Sequence, residues 1–331
     1  MITMNEAQIM VMYGMKDAVR DVADVLHSLA AGKVENPPRT VIEFPGQDAS
    51  ILYMPCADLT EGIATNKTVS IFPRNPKTNG MPTTQGVILV TDATDGRHLA
   101  LLNASYLTRL RTGAMSALAT DRLARPNASV LCAIGTGGMA YEQVLGVLEV
   151  RSIKEILLVN PTESKAVAFA ERLRTEGRVG EEVQIEVVKD VDSAVRRADI
   201  INCATRSATP VFSGEAVQPG THVNGVGSYL PHMQEVDETF IFNCSKIVVD
   251  DLHGVKEEAG ELIHAAEQTD WSFDDVHGEL VDLVTGQIKG RIHEEEITFF
   301  KCVGAAYFDL AVAKGVYLKA EKEGHGARVD I

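Results

Sequence analysis

The feature that most constrains this chain is an alternation of short apolar segments with amphipathic ones, which begins at residue 128. The candidate strands are 129–134, 155–160, 184–189, 199–204, 222–227 and 246–251. Helical patterns fall between the early strands, at 139–150, 162–176 and 190–198. Strands and helices in this rhythm form a parallel sheet covered by helices on both faces. We therefore expect an α/β domain with a doubly wound parallel sheet.

A glycine-rich loop follows the first of these strands and reads Gly135-Thr136-Gly137-Gly138-Met139-Ala140. It fits the pattern G-x-G-x-x-A between a strand and a helix. In that pattern Gly135 permits a tight turn, Gly137 lets a pyrophosphate approach the backbone, and Ala140 lets the helix pack closely. The N–H groups at the start of the helix then face the phosphates. The loop predicts a Rossmann-type dinucleotide site; the alternative is a glycine turn that serves only packing.

The second strand ends at Asn160, where dinucleotide-binding folds usually carry an acidic residue that holds the ribose hydroxyls. An amide at this position does not repel a 2′-phosphate, and Thr162, Ser164 and Lys165 could bind one. We therefore expect NADP(H) to be preferred, with NAD(H) possible. Asn160 followed by Pro161 is also a favourable N-cap and first helical residue, so a purely structural role is open as well.

The N-terminal part of the chain follows a different pattern. Residues 7–31 carry apolar positions at helical spacing, and β-like segments punctuated by Pro and Gly follow up to Asn103. Asp95-Gly96 lies between two apolar runs, which is a hairpin signal. Ser105 starts a long helical pattern that stops at Arg125-Pro126. Near the C-terminus, we expect ITFFKCVGAAYFDLAVAKGVYLKA to form one more long helix.

Composition argues against several functional classes. The chain has 31 Lys and Arg against 46 Asp and Glu, so its net charge of −15 repels nucleic acid and anionic lipid. No apolar run is long enough to span a membrane, and the start MITMNEAQIM lacks a secretory pattern. The five cysteines are scattered without CxxC spacing, which is typical of reduced thiols. We expect a cytoplasmic protein without nucleic-acid or membrane partners.

One acidic segment can be compared with known types of metal site. Glu261-x-x-His264, with Glu257 and Glu258 nearby, could be drawn as metal ligands on one helical face. An acidic face in contact with solvent is the simpler interpretation, and the other histidines form no ligand spacing. We therefore expect no metal site.

Six segments in order along the chain carry a family resemblance: NPPRT, GIATNKTVSIFPRNPKTNGMP, LTRLRTGAMSALATDRLA, IGTGGMA, VNGVGSYLPHMQEVD and FKCVGAAYFDLAVA. Together they resemble the ornithine cyclodeaminase/μ-crystallin family. The resemblance implies a Rossmann domain, here 120–304, and a second α+β domain that binds substrate and forms a homodimer. That second domain corresponds to 1–119 with a returning C-terminal helix, 305–331. The match is specific for the family but not for one substrate.

The resemblance also implies that Arg39, Lys67 and Arg111 line the substrate pocket. Convergent cations suit a substrate carboxylate, which Arg can bind through two parallel hydrogen bonds. Lys67 could also hydrogen-bond or protonate the reacting nitrogen, so Lys67 and Arg111 are the predicted catalytic residues. Taken singly, each cation could instead form an ordinary ion pair at the surface or between helices.

Around the nicotinamide, the resemblance points to residues from several loops: Thr83, Gly138, Met139, Val226, Gly227, Ser228 and Cys302. The full predicted cofactor site adds Gly135, Gly137, Asn160, Thr162, Lys165 and Thr205. Gly227-Ser228 could also be a simple strand-to-loop turn, and Cys302 could be a buried thiol in a helix.

The chain departs from the cyclodeaminases in the loop after the fifth strand. Those enzymes carry an Asp in a pattern like G-x-D-x-P-G-K-x-E, whereas this chain reads GSYLPHMQE from Gly227 to Glu235. Tyr229 takes the place of the Asp, and a phenol is a poor base at neutral pH. This substitution weakens ornithine cyclodeaminase and alanine dehydrogenase as interpretations. Ketimine reductases resemble the present pattern in lacking that Asp, and Tyr229 becomes a predicted substrate-binding residue.

We therefore expect an NADPH-preferring reductase of Δ1-pyrroline-2-carboxylate or Δ1-piperideine-2-carboxylate that forms L-proline or L-pipecolate. Cations would bind the carboxylate and hold the imine carbon near the nicotinamide, and an iminium accepts hydride without a strong base. An alanine-type amino-acid dehydrogenase or an ornithine cyclodeaminase is a second interpretation. A protein that binds NADPH or another small molecule without catalysis is a third.

Overall fold

The structure is a computed structural model that describes residues 1–330. Its N-terminal helices are α1 (Glu6–Met12), α2 (Met15–Ala30), α3 (Asn75–Thr78) and α4 (Ala104–Leu123). The strands between them are β1 (Ile2–Met4), β2 (Val34–Glu35), β3 (Thr40–Phe44), β4 (Ala49–Asp58), β5 (Ile63–Ile71), β6 (Thr84–Asp92) and β7 (His98–Asn103). Short 3₁₀ turns occur at Pro45–Gln47, Gly214–Ala216 and Phe273–Asp275.

The chain continues with an alternation of strands and helices. The strands are β8 (Val130–Ile134), β9 (Glu155–Val159), β10 (Gln184–Val187), β11 (Ile200–Cys203), β12 (His222–Gly225), β13 (Lys246–Val249), β14 (Gly278–Glu279), β15 (Thr298–Lys301) and β16 (Ala327–Arg328). The helices are α5 (Ala140–Val150), α6 (Glu163–Thr175), α7 (Val191–Arg197), α8 (Glu238–Asn243), α9 (Leu252–Glu258), α10 (Gly260–Gln268), α11 (Leu280–Thr285) and α12 (Ala306–Glu323). Among the helices of residues 1–330, none combines the length and the hydropathy needed to cross a bilayer.

The chain divides into two compact units. Unit 1 comprises Met1–Arg111 together with the chain from Ala305 onward, and unit 2 comprises Thr112–Gly304. The first boundary lies within α4. The boundary that the family resemblance implies, between residues 119 and 120, lies further along the same helix.

Unit 1 is built on a mostly antiparallel sheet with the strand order β16-β1-β7-β6-β5-β4-β2, in which β3 also pairs with β4. Strand β1 is the exception, because it runs parallel to β7. Helix α12 packs against α2 and across β4 and β5. Most of the residues of α12 from Ala306 to Val316 are buried, as expected for a helix covered on several sides.

The helical pattern over residues 7–31 corresponds to two helices, α1 and α2. Tyr13 adopts an extended conformation at the end of α1. Gly14 then caps α2, and its N–H donates to the side chain of Asp17. This local hydrogen bond satisfies a backbone donor that has no carbonyl partner at the start of the new helix.

Unit 2 contains a fully parallel sheet with the strand order β10-β9-β8-β11-β12-β15-β13-β14. Two apolar clusters pack against this sheet, one built around Leu131 and Leu158 and the other around Ile201 and Phe299. The neighbours along each strand therefore fall into different clusters, as in a sheet covered on both faces. The expected fold class, a doubly wound parallel sheet with a second α+β part, is confirmed.

The expected C-terminal helix is wrong in two places. Thr298–Lys301 form β15, since all four residues are buried between the two layers and their continuous apolar character is that of a central parallel strand. Helix α12 starts only at Ala306 and ends at Glu323, before the predicted limit of 331. Glycines at 324 and 326 have low helix propensity, and Ala327–Arg328 pair with β1 instead.

Candidate active site

A buried cluster of charges lies in unit 1, where three elements contribute one side chain each. Lys67 comes from β5, Arg111 from α4 and Asp309 from α12. Alternate residues of β5 from Ile63 to Val69 are buried, and Lys67 belongs to this set. Because the side chains of a strand alternate between its two faces, Lys67 is directed toward the side that α12 covers.

Asp309 joins the two predicted catalytic cations. The Lys67 ammonium donates a hydrogen bond to each carboxylate oxygen of Asp309, at 3.0 Å in both cases. Nε of Arg111 lies 3.5 Å from Oδ1 of the same carboxylate. The side chains of Lys67 and Asp309 are only 4% and 2% exposed, so these charges interact away from bulk water. The structure therefore brings Lys67 and Arg111 together around one acidic residue.

The cluster carries more positive than negative charge. Burial lowers the pKa of Lys67 because desolvation disfavours its charged form, and Asp309 acts in the opposite direction. The positive charges of Arg111 and Arg39 lower the pKa of Lys67 as well. Arg39, a half-buried residue directly before β3, thus lies within electrostatic range of Lys67. Three cations near one carboxylate favour an anionic ligand, and a lowered pKa makes the Lys67 ammonium a stronger acid.

The glycine loop of unit 2 has the shape expected of a dinucleotide-binding turn. Gly135 has φ +91°, and a Cβ at this position would lie 2.8 Å from the carbonyl oxygen of Ala204. Gly137 is exposed, with open space where a Cβ would point. Gly138 and Met139 complete the turn before α5 starts at Ala140. A tight turn, an open second glycine and a following helix together fit a pyrophosphate.

The end of β9 lies beside this loop. The Asn160 amide donates to the hydroxyl of Thr136 at 2.8 Å, and its carbonyl accepts from the N–H of Thr162 at 2.8 Å. Thr162, rather than Asn160, occupies the N-cap position of α6, so the proposed N-cap role of Asn160 is wrong. The reason is that the Asn160 side chain hydrogen-bonds to the glycine loop and to the N–H of Thr162, which places the turn before the cap residue. Thr162 and Lys165 are exposed.

The loops after β11 and β12 are joined by a carboxylate that sequence reasoning missed. Glu235 accepts hydrogen bonds from the N–H and hydroxyl of Thr205, at 2.6 and 2.7 Å. It also accepts from the N–H of Gly227 at 2.8 Å. A Cβ on Gly227 would lie 2.0 Å from the carbonyl oxygen of Thr205, so only glycine allows the two loops to approach this closely. Gly227-Ser228 is therefore a packed junction rather than an open turn.

A second missed pair lies next to this junction. The Lys301 ammonium, at the end of β15, is 3.0 Å from Oε1 of Glu261 and donates to the carbonyl oxygen of Ser228 at 2.6 Å. Lys301 and Glu261 are both fully buried. The solvated acidic face expected around Glu261 is therefore wrong at this position: α9 ends at Glu258, and Glu261 in α10 faces the core. Among residues 1–330, no group of three or more His, Cys, Asp or Glu is arranged to hold a metal ion.

The remaining predicted residues are placed as follows. Cys302 is buried directly after β15, so the alternative of a thiol within a helix is wrong. Its side chain forms a hydrogen bond with Asp250. Val226 is buried at the end of β12, and Tyr229 is half-buried with the Arg206 guanidinium 6.0 Å from its ring centroid. Thr83 lies before β6 in unit 1, where its carbonyl accepts from Phe72, and within residues 1–330 it makes no hydrogen bond to the charged cluster.

Sequence reasoning missed four charged residues of these clusters. Two of them left a signal, because Asp309 and Lys301 each interrupt an apolar run, in YFDLAV and ITFFKC. A charge inside such a run is typical of a paired buried group. Glu235 occupies the final E of the family pattern G-x-D-x-P-G-K-x-E, whereas Glu261 lies in a polar segment where nothing distinguishes it from a surface carboxylate.

Comparison with known proteins gives strong matches over the whole chain. The sequence profile of the ornithine cyclodeaminase/mu-crystallin family matches residues 1–324. A Delta(1)-pyrroline-2-carboxylate reductase of Bacillus cereus is 38% identical, with 99% of each chain covered. The structure of Thermococcus litoralis Delta(1)-pyrroline-2-carboxylate reductase in complex with NADH and L-proline superposes with a TM-score of 0.93 and 34% identity, over 99% of this chain and 100% of that one. An archaeal alanine dehydrogenase dimer with bound NAD superposes with a TM-score of 0.91 and 32% identity, over 100% and 99%.

Proposed function

The chain belongs to the ornithine cyclodeaminase/mu-crystallin family, as its motifs led us to expect, and from this premise we propose that it is an NAD(P)H-dependent reductase of cyclic ketimines. Its substrates are Δ1-pyrroline-2-carboxylate and Δ1-piperideine-2-carboxylate, which it converts to L-proline and L-pipecolate. The single observation that carries this proposal is the buried cluster in which Lys67 and Arg111 meet at Asp309.

In this proposal the substrate carboxylate binds to the cations of unit 1. Arg39 and Arg111 supply guanidinium donors, and Lys67 supplies an ammonium whose lowered pKa helps it to protonate the ring nitrogen. Asp309 holds Lys67 in place and keeps it charged. Tyr229 is assigned to substrate binding as a half-buried aromatic side chain that has no carboxylate for amine chemistry.

The cofactor is a nicotinamide dinucleotide, which supplies the hydride when it is bound. We assign its pyrophosphate to the turn formed by Gly135, Gly137, Gly138 and Met139. We assign the nicotinamide half to Thr83, Thr205, Val226, Gly227, Ser228 and Cys302. A preference for NADP(H) is supported by the absence of an acidic residue at Asn160 and by the exposed Thr162 and Lys165 nearby.

We assign substrate binding and cofactor binding to different parts of the chain. Residues 1–119 with the C-terminal helix bind the substrate and form a homodimer, and residues 120–304 bind the dinucleotide. The dimer is supported by the archaeal alanine dehydrogenase, which is described as a dimer.

The proposal is tested by following NADPH and NADH absorbance with four substrates. We expect rapid oxidation with one or both cyclic ketimines, slow or no oxidation with pyruvate plus ammonia, and no NAD reduction with ornithine. Faster turnover with pyruvate plus ammonia would make the chain an alanine dehydrogenase instead. Tight binding of the cofactor without turnover of either ketimine would make it a binding protein.

A further inference from the structure

Glu235 has its whole hydrogen-bonding capacity occupied by two loops. Its four donors are the N–H and the hydroxyl of Thr205, at 2.6 and 2.7 Å, and the N–H groups of Gly227 and Ser228, at 2.8 and 3.4 Å. A carboxylate offers about four acceptor positions, so this one is saturated. Glu235 is fully buried, and every donor it meets lies in the loop after β11 or the loop after β12.

The Lys301–Glu261 pair contacts the loop after β12 through Ser228. Lys301 donates hydrogen bonds to the carbonyl oxygen and the hydroxyl of Ser228, and its ammonium forms an ion pair with Oε1 of Glu261. The hydroxyl of Ser228 in turn donates to Oε2 of Glu261. These hydrogen bonds and the ion pair link Lys301, Ser228 and Glu261 in one buried network.

These loops lie at the edge of the sheet where a dinucleotide binds in folds of this kind. Strands β8, β11, β12 and β15 are consecutive parallel neighbours, so their carboxyl ends meet at one edge. The glycine turn after β8 packs against Ala204 and against Thr205, and Thr205 is bound by Glu235. A displacement of the Thr205 loop would therefore reach both the glycine turn and Gly227.

We propose that Glu235, supported by the Lys301–Glu261 pair, is a positioning residue for the nicotinamide cofactor. It fixes the loops after β11 and β12 in the shape that receives the dinucleotide, and its carboxylate does not touch the cofactor. The inference rests on the proposed function, because it takes the carboxyl edge of this sheet as the cofactor site.

Unit 2 contains a matched control for this network. Lys246 and Glu296 form another buried ion pair, in which Glu296 also accepts a backbone N–H, that of Ile292, at 2.9 Å. This pair lies at the amino ends of β13 and β15, the opposite edge of the same sheet. Both glutamates are buried and accept hydrogen bonds from backbone N–H groups, but only Glu235 is next to the loops assigned to the cofactor.

The experiment compares Glu235→Gln with Glu296→Gln in the full chain. In Glu235→Gln, the NH₂ group of the introduced amide faces N–H or hydroxyl donors of the loops and cannot accept their hydrogen bonds. Glu296→Gln changes only the opposite edge of the sheet. We expect Glu235→Gln to raise the Kd and KM for NADH about tenfold and to change the KM for the ketimine less than about twofold. Glu296→Gln should leave both KM values within about twofold of wild type, although both variants lower the Tm.

A milder variant keeps the test informative should Glu235→Gln not fold. Glu261→Gln retains an acceptor for Ser228 but loses its charge opposite Lys301, and we expect about a threefold rise in the Kd for NADH. Equal effects of the Glu235 and Glu296 variants on NADH binding, or an effect confined to the ketimine KM, would overturn the inference. A wild-type chain that binds no NADH would instead overturn the proposed function.

Discussion

Each unit of this protein contains a buried lysine–carboxylate pair, and the two pairs differ in how their charges are balanced. In unit 1, Lys67 donates both of its hydrogen bonds to Asp309, and Arg111 and Arg39 add further positive charge. In unit 2, Lys301 forms an ion pair with Glu261 and donates to the carbonyl oxygen and the hydroxyl of Ser228. The first cluster has positive charge in excess and suits an anionic ligand. The second pairs one ammonium with one carboxylate, and it serves to hold loops in place.

The largest expected effect comes from removing the ammonium of the unbalanced cluster. Lys67→Ala should lower kcat/KM for the ketimine by about 1000-fold or more. The variant loses both a cation that binds the substrate carboxylate and the group that protonates the ring nitrogen. The Kd for NADH, measured by fluorescence, should stay within about twofold of wild type. Lys314→Ala is the matched control, since Lys314 is another largely buried lysine of unit 1 with a carboxylate partner, Asp58. A nearly wild-type rate for Lys67→Ala would remove Lys67 from the mechanism.

A change at the junction of the loops after β11 and β12 should instead weaken cofactor binding. Gly227→Ala places a Cβ 2.0 Å from the backbone oxygen of Thr205, so the two loops must separate. We expect about a 100-fold loss of NADH affinity by titration, while the variant remains folded by circular dichroism. Gly46→Ala is the control, because a Cβ there meets nothing within 4 Å. Unchanged NADH binding by Gly227→Ala would mean that this junction does not shape the cofactor site.

The pH dependence tests whether Lys67 acts as the acid. Burial lowers the pKa of Lys67 below its usual 10.5, so the protonated form is lost at a lower pH than in an exposed lysine. The rate with saturating NADH should therefore fall as pH rises, by about tenfold per pH unit above the pKa. Lys67→Arg, whose side chain stays charged over this range, should have low activity without that alkaline fall. Persistence of the same fall in Lys67→Arg would assign it to another group.

Cofactor choice gives the smallest expected effect. Asn160→Asp puts a carboxylate beside the glycine loop, where it repels a 2′-phosphate and can accept from ribose hydroxyls. We expect the ratio of kcat/KM for NADPH to that for NADH to fall about tenfold. An unchanged ratio would place the ribose elsewhere.

The sequence predicted the parallel unit better than the charged networks. The strand–helix alternation after residue 128 and the turn at Gly135 have local signals, because period and glycine content directly reflect backbone geometry. The partners of Lys67 could not be read in the same way, since Asp309 is far away in the sequence and comes close only when α12 packs across β5. The helix expected over Thr298–Lys301 is wrong, because a fully buried strand shows no alternation of apolar and polar residues.

The most direct test of the account is the fate of the hydride. NADH deuterated at C4 of the nicotinamide, with both hydrogens replaced, is incubated with Δ1-pyrroline-2-carboxylate and the enzyme, and the product is analysed by mass spectrometry and NMR. The account predicts L-proline with one deuterium at its Cα. Proline without deuterium at that carbon, or oxidation of NADH without proline, would contradict it.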